Sequence, residues 1–404
     1  MVSFEPSQPA ARKAPGEVLG AFLKLGLTSF GGPIAHLGYF RDELVIRRRW
    51  LDEAGYAELV ALCQFLPGPT SSQAGFALGL LRGGWLGACL AWAAFTLPSA
   101  LLLFAFALCA DAFDGPLWRA GTHGLKLVAV AVVAHAVRGM ARSLTPDRPR
   151  VAIAIVAGLC VLFLPTALGQ IGAIAFGALA GLRWYARAPG QAAGRLQFGL
   201  SRRTGAAALC LFLALLLGLP AAVTLLPAQG LALFESFYRA GALVFGGGHV
   251  VLPLLETRLV TPGWLGADAF LTGYGLAQAV PGPLFAVAAY LGGAVEPEPN
   301  GIAGAVIALS GIFLPGLLIL VGLLPFWDIL RRQPQAQAAM AGINAAVVGV
   351  LGAALYDPVW TTAVLTPTDL AIALAAFALL TVRRLAPWLV VLATVLGSIA
   401  VQVI

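Results

Sequence analysis

Hydrophobic positions in this chain neither alternate nor form a narrow helical stripe; they run on in long stretches. Trp85 to Ala110, Val151 to Pro165, Ala206 to Leu226 and Trp388 to Ile404 are of this kind. A helix crosses a hydrocarbon core with about 17–25 such residues, the range these stretches reach or approach. The short alternating strands of a membrane β-barrel are missing. The pattern predicts an all-α polytopic membrane protein with thirteen apolar segments: six in each half and one, residues 205–227, between them.

Some of these segments interrupt themselves. "LGLTSFGGPI", residues 25–34, carries two adjacent glycines and a proline in the middle of an apolar run. Broken backbone survives at membrane depth only where protein encloses it or it lines a cavity. The same break occurs twice. Phe22, Gly26, Phe30, Gly31 and Gly32 recur as Phe237, Gly241, Phe245, Gly246 and Gly247, all at one constant offset. Gln64, Pro67, Gly68 and Pro69 recur in nearly the same register as Gln278, Pro281, Gly282 and Pro283. Leu97-Pro98 matches Leu314-Pro315, and "GLKLVAV" from Gly124 matches "GINAAVV" from Gly342. The two halves are copies of one unit. Residues 1–16 read as a disordered, Pro-rich lead without the features of a cleavable signal. Residues 17–187 form the first repeat, 188–230 a basic loop and linking helix, and 231–404 the second repeat.

Loop charge sets the orientation. In the first half, Arg82 precedes the third segment, Asp111 and Asp114 follow it, and Arg138, Arg142, Arg148 and Arg150 follow the fourth. The matching loops of the second half swap sign, with Glu296 and Glu298 before the third segment and Arg331 and Arg332 after it. Arginine-rich loops stay cytoplasmic, so the repeats are expected to insert upside down relative to each other. Basic residues on both sides of the "PGP" segment, Arg41 and Arg47 to Arg49 before it and Arg82 after it, predict a re-entrant hairpin over residues 56–82 with PGP at its tip. A proline-kinked span would carry the same pattern, and the "FGG" segment is open between spanning and turning back. Inverted repeats with helices broken at corresponding places are the mark of secondary transporters, whose sites lie between the repeats near the bilayer midplane.

Composition agrees: 60% of residues are hydrophobic and 11% charged, against about half and a quarter in a soluble domain. The net charge of +7 belongs to cytoplasmic loops rather than to a nucleic-acid surface. The five cysteines, Cys63, Cys89, Cys109, Cys160 and Cys210, lie in apolar segments without metal spacing and read as inert small hydrophobes. HExxH and GxSxG are missing too, so an enzyme is not expected, nor a cofactor or metal.

The chemistry concentrates at the breaks. Each repeat places one cation six residues before its FGG, Lys24 in the first and Arg239 in the second. A cation at the bilayer centre costs about 2.5–3.5 kcal/mol on insertion scales, so a symmetric pair points to an anion; the alternative is that both snorkel to the interface. Half-helix N-termini present backbone N–H groups and partial positive charge to an anion, and glycine lets the backbone approach it. Thr28, Ser29, Thr70, Ser71, Ser72 and Gln73 add donors in the first half, whereas Leu284 and Phe285 follow the second PGP, so the site is expected to be asymmetric. Any one of these hydroxyls could instead bond its own helix carbonyls. Secondary candidates are Lys126 with its repeat mate Asn344, Gln64 with Gln278, His36 and His249 beside the two FGG turns, and Glu58, Glu235 and Glu256 as balancing or proton-carrying carboxylates. The histidines would serve equally as structural groups, and Asn344 as a helix-packing one.

"FLKLGLTSFGGPIAHLGYF" with "FLPGPTSSQ", and then "FYRAGALVFGGGHVVLP" with "AVPGP", closely resemble the chromate ion transporter family in its long-chain, two-domain form. The resemblance implies a multi-pass transporter of the bacterial inner membrane that exports chromate, is driven by the proton gradient and has sulfate as a related substrate. By matching position it carries the family signature onto Phe30, Gly31, Gly32, Pro33, Pro67, Gly68 and Pro69, and onto Phe245, Gly246, Gly247, Gly248, Pro281, Gly282 and Pro283. The expected partners are the oxyanion, protons, the lipid bilayer and a second copy in a homodimer. An oxyanion channel or a sulfate transporter of the same architecture is the rival reading.

Overall fold

The computed structural model describes residues 14–30, 32–109, 115–164, 167–185, 198–245, 250–330 and 333–403. Among them every regular element is helical and none is a strand. Helix α1 (Pro15–Thr28) starts with proline at its first position, where the missing N–H costs nothing. It leads through the FGG break to α2 (Gly32–Phe40), which widens into a π-helical stretch over Arg41–Arg47. Helix α3 (Glu53–Phe65), capped by Asp52, runs to the PGP break, and α4 (Thr70–Cys109) follows it. α4 is two limbs: Gly84, at φ 66° and ψ −158°, reverses the chain between residues 70–83 and 85–109. The limbs lie back to back, and a Cβ on Gly79 would sit 2.5 Å from the carbonyl oxygen of Gly87.

Three ends of chain meet at Glu17. Its carboxylate accepts from Arg82 at 2.7 Å and from the Trp50 indole at 2.9 Å, and it lies 3.5 Å from Arg48. The start of α1, the end of the α2 segment and the end of the first α4 limb are therefore on one side. Both breaks are tips of hairpins whose ends lie together. The helical hairpin expected at PGP is present, and the FGG segment takes the same form.

The first repeat continues with α5 (Pro116–Leu144), α6 (Arg148–Phe163) and α7 (Ala167–Tyr185). Helix α8 (Arg202–Leu225), capped by Ser201, links the halves. The second repeat copies the order: α9 (Gln229–Leu243), α10 (Val251–Leu259), α11 (Ala267–Ala279), a 3-10 turn at Leu284–Ala286 into α12 (Val287–Ala294), and α13 (Gly301–Leu323). A single turn, α14 (Trp327–Leu330), precedes α15 (Pro334–Ala354). A second short turn, α16 (Thr361–Ala363), precedes α17 (Pro367–Thr381) and α18 (Pro387–Val403). The mouth of the second pair of hairpins closes through Glu296 N–H, which donates to the Trp264 carbonyl at 2.8 Å, and Glu296 and Glu298 are exposed there.

Five helices of the described residues, Thr70–Cys109, Leu117–Leu144, Arg202–Leu225, Gly301–Phe326 and Pro334–Ala363, are long and apolar enough to cross a membrane. Their outward leucines, such as Leu101 on α4 and Leu217 on α8, are more than half exposed, as lipid-facing residues are. The hairpins return to the side they left. If the second α4 limb, α5, α6, α7 and α8 each pass the membrane once, the number of passages is odd and the second copy is turned over, as loop charge predicts. Reporter fusions after Arg82 and after Glu298 are therefore expected on opposite faces of the membrane; a common face would refute the inversion.

The repeats are not separate lobes. Helix α15 of the second packs along α6 and α7 of the first, with Gly349 against Ala154 and Gly158 and with Gly342 against Gly177 and Gly181. Reciprocally α5 packs on α17 and α18, where Gly124 meets Val395 and Ser398 Oγ donates to the Ala120 carbonyl at 2.9 Å. Each copy has given its last two helices to the other.

Candidate functional site

The breaks converge. After α1 the chain leaves the helix extended at Ser29 (φ −88°, ψ 103°), and after α9 it does the same at Val244 (φ −79°, ψ 111°). Backbone groups buried at this depth must find partners in protein. Ser29 C=O accepts from the N–H of Gly282 at 2.8 Å, and Val244 C=O accepts from the N–H of Gly68 at 2.7 Å. Each FGG corner is thus tied to the PGP corner of the other repeat, by one bond used twice. Gly68 and Gly282 hold φ of 115° and 101°, the region glycine adopts without strain. Each is also packed against a crossing helix: a Cβ on Gly68 would lie 2.9 Å from Gly316 Cα, and one on Gly282 2.7 Å from Ser99 Oγ. The Gln73 side-chain amide fixes one corner by donating to the carbonyls of Pro67 (2.8 Å) and Gly316 (2.9 Å). Trp388 of α18 packs at a tilt against Phe30, ring centroids 6.1 Å apart.

Pro67, Pro69, Ser71 and Pro283 are buried here, and Gly32, Thr70, Phe245 and Pro281 half-buried. Gly31, Gly246, Gly247, Gly248 and His249 lie outside the described residues. Thr28 turns away: it is exposed, and its hydroxyl donates to the Lys24 carbonyl at 2.8 Å, the local alternative open to a helical threonine. His36 is buried, with Nδ1 3.2 Å from Ser71 Oγ and its ring edge-on to Phe95. Among the described residues, His36 Nε2, Ser29 Oγ, Ser72 Oγ, Thr96 Oγ1, Gln73 Oε1 and Gln278 Nε2 are buried without a hydrogen-bond partner.

Both predicted cations are paired. Lys24 Nζ is 2.7 Å from Glu43, which also holds Arg47 and Arg48 at 2.9 and 2.8 Å. Glu43 belongs to the stretch returning to the mouth, outside the spanning helices. Burial works to raise its carboxyl, but hydrogen bonds from Lys24, Arg48 and Arg47 outweigh that and keep it well below the usual range. Arg239 Nε is 2.6 Å from one oxygen of buried Glu235, and Arg258 is 3.2 Å from the other. Two guanidinium groups thus share one carboxylate. They line a small pocket with Gln170, Ile171, Ala240, Leu243 and Leu254. Lys24 and Arg239 each stand about one turn before their break, so both are near the tied corners.

Other candidates are placed elsewhere. Lys126 pairs with Asp268 across the repeats at 2.8 Å, Gln64 is exposed on α3, Glu58 is half-buried on the same helix, and Glu256 lies on α10. Asn344 Oδ1 is buried and, among the described residues, unpartnered. Sequence reasoning missed Glu43, Arg258, Thr96 and Ser99. A usable signal existed for two of these: Glu43 and Arg258 occupy the same position of the two repeats, separated by the same interval as Lys24 and Arg239.

Two copies of one broken-helix unit, intertwined and tied together at their breaks, form a polytopic membrane protein. The pattern that describes the Chromate transporter family matches this chain twice, over residues 16–182 and 231–399. The chain belongs to that family. It is 31% identical over 367 residues to a chromate transport protein of Pseudomonas aeruginosa, covering 90% of this chain and 85% of that one. It is 29% identical over 394 residues to a chromate transport protein of Cupriavidus metallidurans, covering 94% and 91%. Against a probable chromate transport protein of Synechococcus elongatus the identity is 30% over 355 residues, covering 83% and 82%. No solved structure matches it.

Proposed function

We propose that this chain exports chromate across the bacterial inner membrane as a proton-coupled secondary transporter that also accepts sulfate. The oxyanion would bind between the repeats, at the tied corners. The observation that carries this reading is the reciprocal pair of bonds from Gly282 to Ser29 and from Gly68 to Val244. They would form a fixed axis between two copies that loop charge predicts to be inverted, with hairpin mouths on opposite faces. Exchanging the tilt of the two copies about that axis would close one mouth and open the other. The arginine-rich mouth around Glu17 would face the cytoplasm. Half-helix N-termini beside the corners, with Arg239 and Lys24 one turn away, supply donors and positive charge for a dianion.

Voltage favours the proposed direction. Two negative charges leaving an inside-negative cell gain about 4.6 kcal/mol per 100 mV, at about 2.3 per charge, and each proton entering in exchange adds about 2.3. In proteoliposomes with imposed pH and voltage gradients, labelled chromate is expected to show saturable flux, acceleration by a pH gradient, competition by sulfate and counter-transport. Non-saturating flux without counter-transport would identify a channel instead. An absence of chromate flux would overturn the substrate assignment.

A further inference from the structure

The backbone at the tied corners is nearly two-fold symmetric, but the side chains are not. Ser29 and His36 align with Val244 and Val251 in the register of the FGG motifs, and Ser71 and Ser72 with Phe285 and Ala286 in that of the PGP motifs. Thr96 and Ser99 align with Phe313 and Gly316 in the register that pairs Leu97-Pro98 with Leu314-Pro315. Six polar side chains on one side of the axis face six apolar positions on the other. In the second repeat Phe285 and Phe313 pack ring against ring, centroids 5.9 Å apart, and Trp92 closes on Phe313 at 5.5 Å. The first repeat has Ser71 and Thr96 at those two places.

We propose that the transported oxyanion is bound on one side of the axis only, by the first repeat. His36 Nε2–H is its central hydrogen-bond donor, and the buried, unpartnered hydroxyls of Ser29, Ser72 and Thr96 are its further donors. This rests on the oxyanion-transport reading above and adds which side chains touch the ligand. In the tautomer this reading uses, the Ser71 hydroxyl, 3.2 Å from Nδ1, is the donor and the ring proton sits on Nε2. His36 is 1% exposed and its Nε2 has no acceptor among the described residues. The ring lies edge-on to Phe95 and within hydrogen-bonding reach of the Ser29 backbone. The three unpartnered hydroxyls are each on, or next in sequence to, a residue that touches it. A buried donor left without an acceptor is unfavourable, and the fold does not demand it here, because the same backbone is built with valines and phenylalanines on the other side. A tetrahedral oxyanion presents acceptors in several directions and satisfies such a ring of donors at once. The second repeat, filled by aromatic rings, serves as the packed wall opposite.

The test uses the full-length protein in lipid nanodiscs, with chromate and sulfate binding measured by calorimetry. His36→Leu is expected to weaken binding of both ions by roughly tenfold or more, the loss of a hydrogen bond to a charged group. His36→Gln, whose Nε2 reproduces the donor, is expected to restore binding to within about threefold, which a merely structural histidine would not do. Val251→Ala, at the mirror position, should leave affinity unchanged. Thr96→Val, close to isosteric, should weaken binding several-fold and carries the test if His36→Leu fails to fold. Wild-type affinity in folded His36→Leu or in Thr96→Val would overturn the proposal, as would an equal loss in Val251→Ala. If the wild-type protein binds neither ion, the transport reading falls first; if it binds them and the His36 and Thr96 variants bind alike, this inference alone falls.

Discussion

Gly282→Val is expected to abolish chromate transport while leaving the protein in the membrane, and Gly68→Val to do the same. Three penalties coincide at each position. A β-branched residue at a φ of 101° or 115° is held in a region that costs about 1–3 kcal/mol. Its Cβ would meet Ser99 Oγ at 2.7 Å or Gly316 Cα at 2.9 Å, so the crossing helix must move. That movement pulls the N–H away from Ser29 or Val244 and leaves a buried carbonyl unpaired, for about 1–3 kcal/mol more. The sum is several kcal/mol at the point about which the repeats would move. Flux in proteoliposomes, normalised to protein recovered in the membrane fraction, measures it. Gly139→Ala on α5, where a Cβ meets open space, is the control and should be silent. More than about a tenth of wild-type flux in both valine variants would separate the corners from the transport path.

Arg239→Ala is the second large effect. Arg239 and Arg258 share the single carboxylate of Glu235, so the group carries a net positive charge one turn from the corner. Removing Arg239 leaves a neutral pair there. Losing one charge-assisted contact to an oxyanion is worth about 1.5–3 kcal/mol, or roughly a ten- to hundredfold fall in transport efficiency. Arg239→Lys should recover part of it, keeping charge but not the planar fork. Lys24→Ala should cost less, because Lys24 is half exposed and Glu43 keeps Arg47 and Arg48. Arg41→Ala, which breaks an exposed pair with Glu53, should be neutral. Undiminished transport in Arg239→Ala would remove positive charge from the account of the site.

Much of this was legible in the chain. Phe30-Gly31-Gly32 and Pro67-Gly68-Pro69 announce broken backbone, and their recurrence announces two copies, because glycine and proline punctuate helices by local sterics alone. The hairpins were legible through charge, since Arg41 to Arg49 and Arg82 need the same aqueous face. The asymmetry was half visible in Thr70 to Gln73 against Leu284 to Val287. The pairings were legible only in part. Glu235 is offered by the sequence as a balancing carboxylate and does hold Arg239, but Glu43 lies 19 residues from Lys24 and Arg258 23 from Glu235, beyond the reach of local spacing. Nor does apolar periodicity say which helix α5 or α15 will choose; that choice rests on Gly124, Gly342 and Gly349 each finding a partner backbone. His36 and His249 both flank an FGG turn without being equivalent, since the residue aligned with His36 is Val251.

The exchanged helices have a consequence for how such a molecule can have arisen and persisted. Once α17 and α18 nest on α5, and α6 and α7 on α15, either duplicate alone would expose the flank its sibling covers. In this chain the two duplicates are then bound to each other, while sequence drift within them stays open. A lineage so constrained can strip one duplicate of its polar chemistry and retain it as scaffold, and that is the division of labour in which Ser71 and Thr96 face Phe285 and Phe313.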